Sequence, residues 1–373
     1  MNRLLARALH TGLAAWLSSA TLNAAATTTC EEKSADYTAC IAQLYRQPIA
    51  QWPAPNVDAD IAWQEMAALP DHAPAPTNNP FTQAKADLGK KLFNDPKLSR
   101  SGQIACASCH EADMAFADGR RVSFGHDRQS GRRNAPSLVM SGYSQALFWD
   151  GRGGSQEQQA TQPIIDPVEM AFEIPQLLQR LNADSTYRAL FAQVFGASPI
   201  TQEQTSYALA TYQRTLVTAT RNTAFEQLLR GRPQRMSEQQ LYGLHLFRTK
   251  ARCMNCHFGP ALSDDEFHNV GLSYYGRKYE DLGRYEVTGK PEDVGAFRTP
   301  SLRLVMKTGP WMHNGLFVNM EGTLAFYNMG MPRPRPNAQQ ANDPLFPQTS
   351  DRLKVLNMDK DELRALRSFL DTL

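Results

Sequence analysis

Cys106-Ala-Ser-Cys109-His110 and Cys253-Met-Asn-Cys256-His257 set two thiols and an imidazole at one fixed spacing, twice, in a chain with 6 cysteines and 8 histidines. Two thiols three residues apart can add across the two vinyl groups of one porphyrin, and the adjacent histidine is then placed to ligate its iron. A four-cysteine zinc site is the competing chemistry. It would have to bridge the long stretch from Cys109 to Cys253, and it would leave both histidines without a use. The spacing therefore predicts two c-type haems, held covalently by Cys106 and Cys109 and by Cys253 and Cys256, with His110 and His257 as axial ligands.

Each iron has a second face, and the ligand there decides function. Strong ligands on both faces leave a haem that only carries electrons, whereas an open or releasable face can bind peroxide. By residue type the candidates are His72, His126, His245, His268, His313, the methionines and a few tyrosines. Residue type does not choose among them, because a lone His or Met is more often packing than ligand.

The elements that position the motifs repeat. Leu88-Gly-Lys-Lys-Leu92-Phe93 precedes the first motif and Tyr242-Gly-Leu-His-Leu246-Phe247 the second. Thr82 caps the first predicted helix, and Ser237 with Gln240 forms a capping box for the other. At the far ends Ala208-Leu-Ala-Thr-Tyr-Gln-Arg-Thr-Leu216 aligns with Ala365-Leu-Arg-Ser-Phe-Leu-Asp-Thr-Leu373. Leu363, Leu366, Phe369, Leu370 and Leu373 share one helical face. A helix before the motif and another closing the unit predict an all-α fold of two cytochrome-c-like domains, 81–233 and 234–373, packed across an interface.

At 373 residues the chain is long enough for two such domains plus extensions. The net charge of +2 offers no electrostatic case for nucleic acid. Residues 1–26 are expected to be a cleavable secretory signal: Arg3 and Arg7 precede an apolar run, Ala8 to Leu17, and Ala24 to Ala26 offer small residues for cleavage. Export to the periplasm, where thioether attachment is completed, follows as an expectation. Cys30 and Cys40, not needed by haem, are expected to pair as a disulfide. Residues 27–80 form an extension rich in Pro and Ala, a linker or a wrapping segment.

Phe148-Trp149-Asp150-Gly151-Arg152, Gln159, Pro163 and Pro167-Val-Glu169-Met170 resemble the bacterial dihaem cytochrome c peroxidase and MauG superfamily. So do Arg133-Asn134-Ala135-Pro136 and Pro310-Trp-Met-His313-Asn-Gly315. The likeness runs from about Leu88 to the C-terminus. It implies that the His110 haem is peroxidatic and that Glu169 is its acid/base, moving a proton from the near to the leaving oxygen of hydrogen peroxide. A carboxyl beside a buried porphyrin should have a raised pKa suited to that shuttle. Gln159 and Pro163 match positions lining the same pocket. Trp149 matches a tryptophan between the haems that relays an electron or holds radical character. Asn134, Thr308 and Pro310 match positions around an interdomain calcium ion, for which hard oxygen ligands are suited.

Two positions point to different branches of that superfamily. His126, 16 residues after His110, matches the histidine that caps the peroxidatic iron in the peroxidases and is missing from MauG-type enzymes. Tyr327, 14 residues after His313, stands where peroxidases place a methionine ligand and MauG-type enzymes a tyrosine; Met331 and Met329 are the alternatives. Phenolate would favour the oxidised metal, thioether the reduced one.

Three functions follow. A peroxidase would reduce hydrogen peroxide with electrons from a small cytochrome, a cupredoxin or a quinol. A MauG-like oxidase would use peroxide to oxidise residues of a partner protein. A pure electron carrier would leave Glu169, Gln159 and Pro163 without purpose. The peroxidase is the leading expectation, and the sequence leaves a homodimer open.

Overall fold

The computed structural model describes residues 30–32 and 34–373, so the expected signal at 1–26 lies outside the described residues. The described chain is mostly helical. Its α-helical segments are α1 (Tyr37–Tyr45), α2 (Gln83–Phe93), α3 (Gln156–Gln159), α4 (Gln162–Ile165), α5 (Ile174–Ala183), α6 (Ser185–Phe195), α7 (Gln202–Thr215), α8 (Ala224–Leu229), α9 (Glu238–Arg248), α10 (Tyr285–Thr288), α11 (Met320–Asn328) and α12 (Lys360–Leu370). Among the described residues the one sheet is a two-residue antiparallel pair, β1 (Phe267–His268) with β2 (Phe297–Arg298), Phe267 opposite Arg298.

The helices start where local chemistry satisfies their free N–H groups. Thr82 accepts from Lys85 N at the head of α2. Reciprocal capping boxes open α7 (Thr201 with Gln204), α9 (Ser237 with Gln240) and α12 (Asp359 with Glu362).

The two halves share one crossing. α2 packs on α7, and α9 packs on α12. At each crossing a glycine lets the backbones meet: a Cβ on Gly89 would lie 1.9 Å from Ala208 O, and one on Gly243 would lie 2.0 Å from Ala365 O. Ala208 and Ala365 are the first residues of the two aligned C-terminal segments. Repeated sequence thus becomes repeated packing, since only a residue without a Cβ permits so close an approach.

Two hydrophobic cores result. One gathers Leu88, Leu92, Phe93, Leu98, Ile164, Leu177, Phe191, Leu209 and Val217; the other gathers Phe225, Leu241, Leu244, Phe247, Leu366 and Phe369. Along this stretch Val217 packs in the first core and Phe225 in the second. Phe225 lies edge-on to Phe369 at 5.4 Å and donates its N–H to Thr372 O.

Residues 30–80 wrap both cores. Cys30 and Cys40 are disulfide-bonded, and Ile41, Tyr45, Trp52 and Met66 enter the second core. Leu69 and Ala73 enter the first. Between them the chain crosses a fully buried ion pair, Arg303 Nη1 to Glu226 Oε2 at 2.8 Å. Leu69 N donates to the other oxygen of Glu226, and Arg303 Nη2 donates to Ala67 O. A buried charge pair is tolerated when its remaining hydrogen-bonding groups are met in this way.

Candidate haem-binding and catalytic site

Both motifs adopt one geometry. Each Cys-x-x-Cys begins in a single 3-10 turn, Cys106–Ser108 and Cys253–Asn255, and the histidine N–H returns to the first cysteine's carbonyl. His110 Nδ1 lies 2.9 Å from Phe116 O, and His257 Nδ1 lies 3.0 Å from Leu262 O. A carbonyl only accepts, so Nδ1 carries the proton and Nε2 keeps a free lone pair, the arrangement a ligating imidazole needs. Burial lowers the pKa of both rings, which keeps them neutral. The four motif cysteines are not disulfide-bonded. Burial pushes the Cys106 and Cys253 thiols up to about 12, so neither is exposed as a free thiolate.

A cavity of about 280 Å³ opens beside the second motif. Cys253, Cys256 and His257 stand on its wall with Leu302, Leu324, Leu366 and Leu370. Two thiols, a neutral imidazole and an apolar wall suit a covalently attached porphyrin. At the first motif Cys106 and Ala107 pack against the first core, and the Phe93 ring lies 6.5 Å from that of His110.

Glu169 sits close enough to the first motif for its charge to act on both Cys106 and Cys109. A tight loop aims it: Met170 N donates to Pro163 O, Ala171 N to Asp166 O, Phe172 N to Ile164 O and Val168 N to Asp166 Oδ1. Burial, with a smaller push from Asp166, raises the Glu169 carboxyl to about 7. Gln159, at the end of α3, lies beside Gly153, where an added Cβ would come 3.4 Å from the Gln159 Cβ. His126 lies against the same loop, its N–H shared between Val168 O (3.0 Å) and Glu169 O (2.8 Å). A Cβ on Gly125 would meet Val168 O at 2.1 Å, so this contact requires glycine. Sequence separates His126 from Glu169, and the fold joins them.

Tyr327, near the end of α11, lines the cavity with His257. Burial raises its hydroxyl pKa, so the phenol stays neutral until a cation draws off the proton. Met329 is 63% exposed and points away from an interior role. Met331 is buried. Asn134, Thr308 and Pro310 line the same cavity, the first from one half of the chain and the others from the second. Asn134 Nδ2 donates to Arg120 O, which directs the amide nitrogen away and leaves Oδ1 as the acceptor end. Trp149 also lines this cavity and donates Nε1–H to Asn134 O at 2.9 Å.

The other histidines find partners that residue type could not reveal. His72 bonds Ala73 O and stacks on Phe81, His245 bonds the Tyr45 hydroxyl, and His268 pairs with Asp264 at 2.8 Å. Cys256, Asp264 and His268 could together hold a metal, but thioether formation would consume that cysteine. His313 stacks on Phe297 at 3.5 Å and lies 6.4 Å from the Trp149 ring. Burial lowers its pKa to about 3. The sequence singled out neither Asp281 nor Arg284, which with Arg133 surround the Trp149 segment. Nothing local marks these two, since the residues they hold, Arg133 for Asp281 and Asp150 and Gly151 for Arg284, are more than a hundred residues away.

The family model described as di-haem cytochrome c peroxidase matches residues 83–234. The methylamine utilization protein MauG of Methylophilus methylotrophus is 39% identical over 282 residues, 72% of this chain and 81% of the relative. The cytochrome c551 peroxidase of Nitrosomonas europaea is 36% identical, covering 69% of this chain and 76% of its own. A crystal structure of a MauG-like protein associated with microbial copper homeostasis superposes with a TM-score of 0.72 at 29% identity, covering 85% of this chain and 95% of that one. At 39% identity over 72% of its length to one such protein and 36% over 69% to another, the chain belongs to the di-haem cytochrome c peroxidase and MauG family of oxidoreductases.

Proposed function

We propose that the chain is a periplasmic peroxidase that converts hydrogen peroxide to water with two electrons from a small redox protein or a quinol. The observation that carries this reading is Glu169, a carboxyl raised to about 7 beside the first motif. Haem at the two motifs would supply iron that binds peroxide and exchanges electrons. Glu169 would accept the proton of the near peroxide oxygen and deliver it to the leaving oxygen, with Gln159 and Pro163 bounding its pocket. His126 would cap the His110 site, its backbone tied to the Glu169 loop so that releasing one disturbs the other. His257 would hold the electron-receiving haem, with Trp149 between the two sites. Asn134 Oδ1 and the carbonyls of Thr308 and Pro310 would hold calcium across the interface.

Tyr327 on the cavity wall supports a second reading, a MauG-like oxidase of a partner protein. Stopped-flow mixing of all-ferric and half-reduced holoprotein with peroxide separates the two. A peroxidase capped by His126 reacts only when half-reduced, and His126→Gly makes the ferric form reactive. Immediate reaction of ferric wild type removes the cap and favours the oxidase.

A further inference from the structure

The segment Phe148–Arg152 carries Trp149, and residues from the other half of the chain hold it on both sides. Arg284 Nη1 donates to Asp150 O at 2.9 Å and to Gly151 O at 3.0 Å. Its guanidinium lies over the Phe267 ring at 4.2 Å. Three residues earlier, Asp281 takes a bidentate pair from Arg133, Nε to Oδ2 and Nη2 to Oδ1, each at 2.7 Å. Arg133 also reaches Asp150, which closes the ring of contacts. Trp149 O accepts from Arg298 N at 2.9 Å.

The exchange is reciprocal. One half offers an arginine and takes a carboxylate; the other offers a carboxylate and an arginine in return. Arg133, Asp150 and Asp281 are each at most 10% exposed in their side chains, so these contacts are poorly screened by water. Gly151 has φ +71°, and a Cβ there would lie 2.3 Å from Phe267 Cζ and 2.5 Å from Arg284 Nη1. The backbone beside Trp149 is therefore shaped to receive Arg284.

We infer that Asp281 and Arg284 form an interdomain clasp that makes Arg284 a positioning residue for Trp149. The clasp fixes the indole relative to both haem sites, and electron transfer between them depends on it. This rests on the reading that Trp149 relays electrons.

The test uses half-reduced holoprotein and follows reoxidation of the His257 haem after peroxide is added, in Arg284→Met, Gly151→Ala and Trp149→Phe. Gly151→Ala presses on the clasp from its other side, so the outcome does not hang on one variant's folding. Misplacement by about 1 Å can cost about a hundredfold in rate, so both clasp variants should transfer about 10- to 100-fold more slowly. Haem spectra and both reduction potentials should stay unchanged, which a general loosening of the fold would not allow. Arg284→Lys should recover part of the rate. Wild-type transfer in Arg284→Met and Gly151→Ala, with slow transfer in Trp149→Phe, overturns the clasp and leaves the relay standing. Unchanged transfer in Trp149→Phe overturns the relay and the clasp with it.

Discussion

Replacing Glu169 by Gln keeps the side chain's shape and removes its charge. An isolated glutamate titrates at 4.5, and Glu169 is raised to about 7. That difference sets roughly 3 kcal/mol against the charged form in the folded protein. Between these two values the folded state binds more protons at this position than the unfolded state, so wild-type stability falls as pH rises from about 4.5 to about 7 and then levels. Below 4.5 the carboxyl is neutral in both states and the substitution should change little. At pH 8 the Gln variant should be the more stable by up to roughly 3 kcal/mol, about 6–12 °C in melting temperature for a domain of this size. Peroxide turnover should move the opposite way. Losing an acid/base costs about 10²- to 10⁴-fold, with haem spectra intact. The assays are thermal melting of holoprotein at pH 4 and pH 8, and steady-state peroxide consumption. A stability difference that is the same at both pH values refutes the buried-carboxyl reasoning, and full turnover removes Glu169 from the chemistry.

Other outcomes are equally specific. Tyr327→Met should raise the reduction potential of the His257 haem, with each 59 mV marking a tenfold change in equilibrium; an unchanged potential in spectroelectrochemical titration takes Tyr327 out of the ligand set. Gly243→Ala forces a Cβ to 2.0 Å from Ala365 O and should cost about 1–3 kcal/mol or more on melting, whereas a wild-type melting temperature would mean the helices part freely. Glu226→Gln strands the buried charge of Arg303 and should cost about 3–5 kcal/mol, with limited proteolysis of residues 55–75 appearing as the wrapping segment loses its anchor.

The two haem motifs, the helical repeat and the capping signals were legible in the sequence because each is set by neighbours a few residues away. Thr82 with Lys85 and Ser237 with Gln240 need only the local backbone. The repeat showed which segments correspond, and the fold showed that the glycine in each N-terminal helix meets the alanine in each C-terminal one. Resemblance to a known family, rather than spacing, singled out Glu169, His126, Trp149 and Tyr327. Tertiary structure alone decided what surrounds them. The Glu169 pKa is a property of burial, and burial belongs to the whole fold. His72, His245 and His268 take partners, Ala73 O, the Tyr45 hydroxyl and Asp264, that residue type does not specify. The wrapping course of residues 30–80 and the grip of Asp281 and Arg284 on the Trp149 segment join stretches far apart along the chain. No local periodicity encodes such pairings, because they arise only when two separately capped and packed halves are brought face to face.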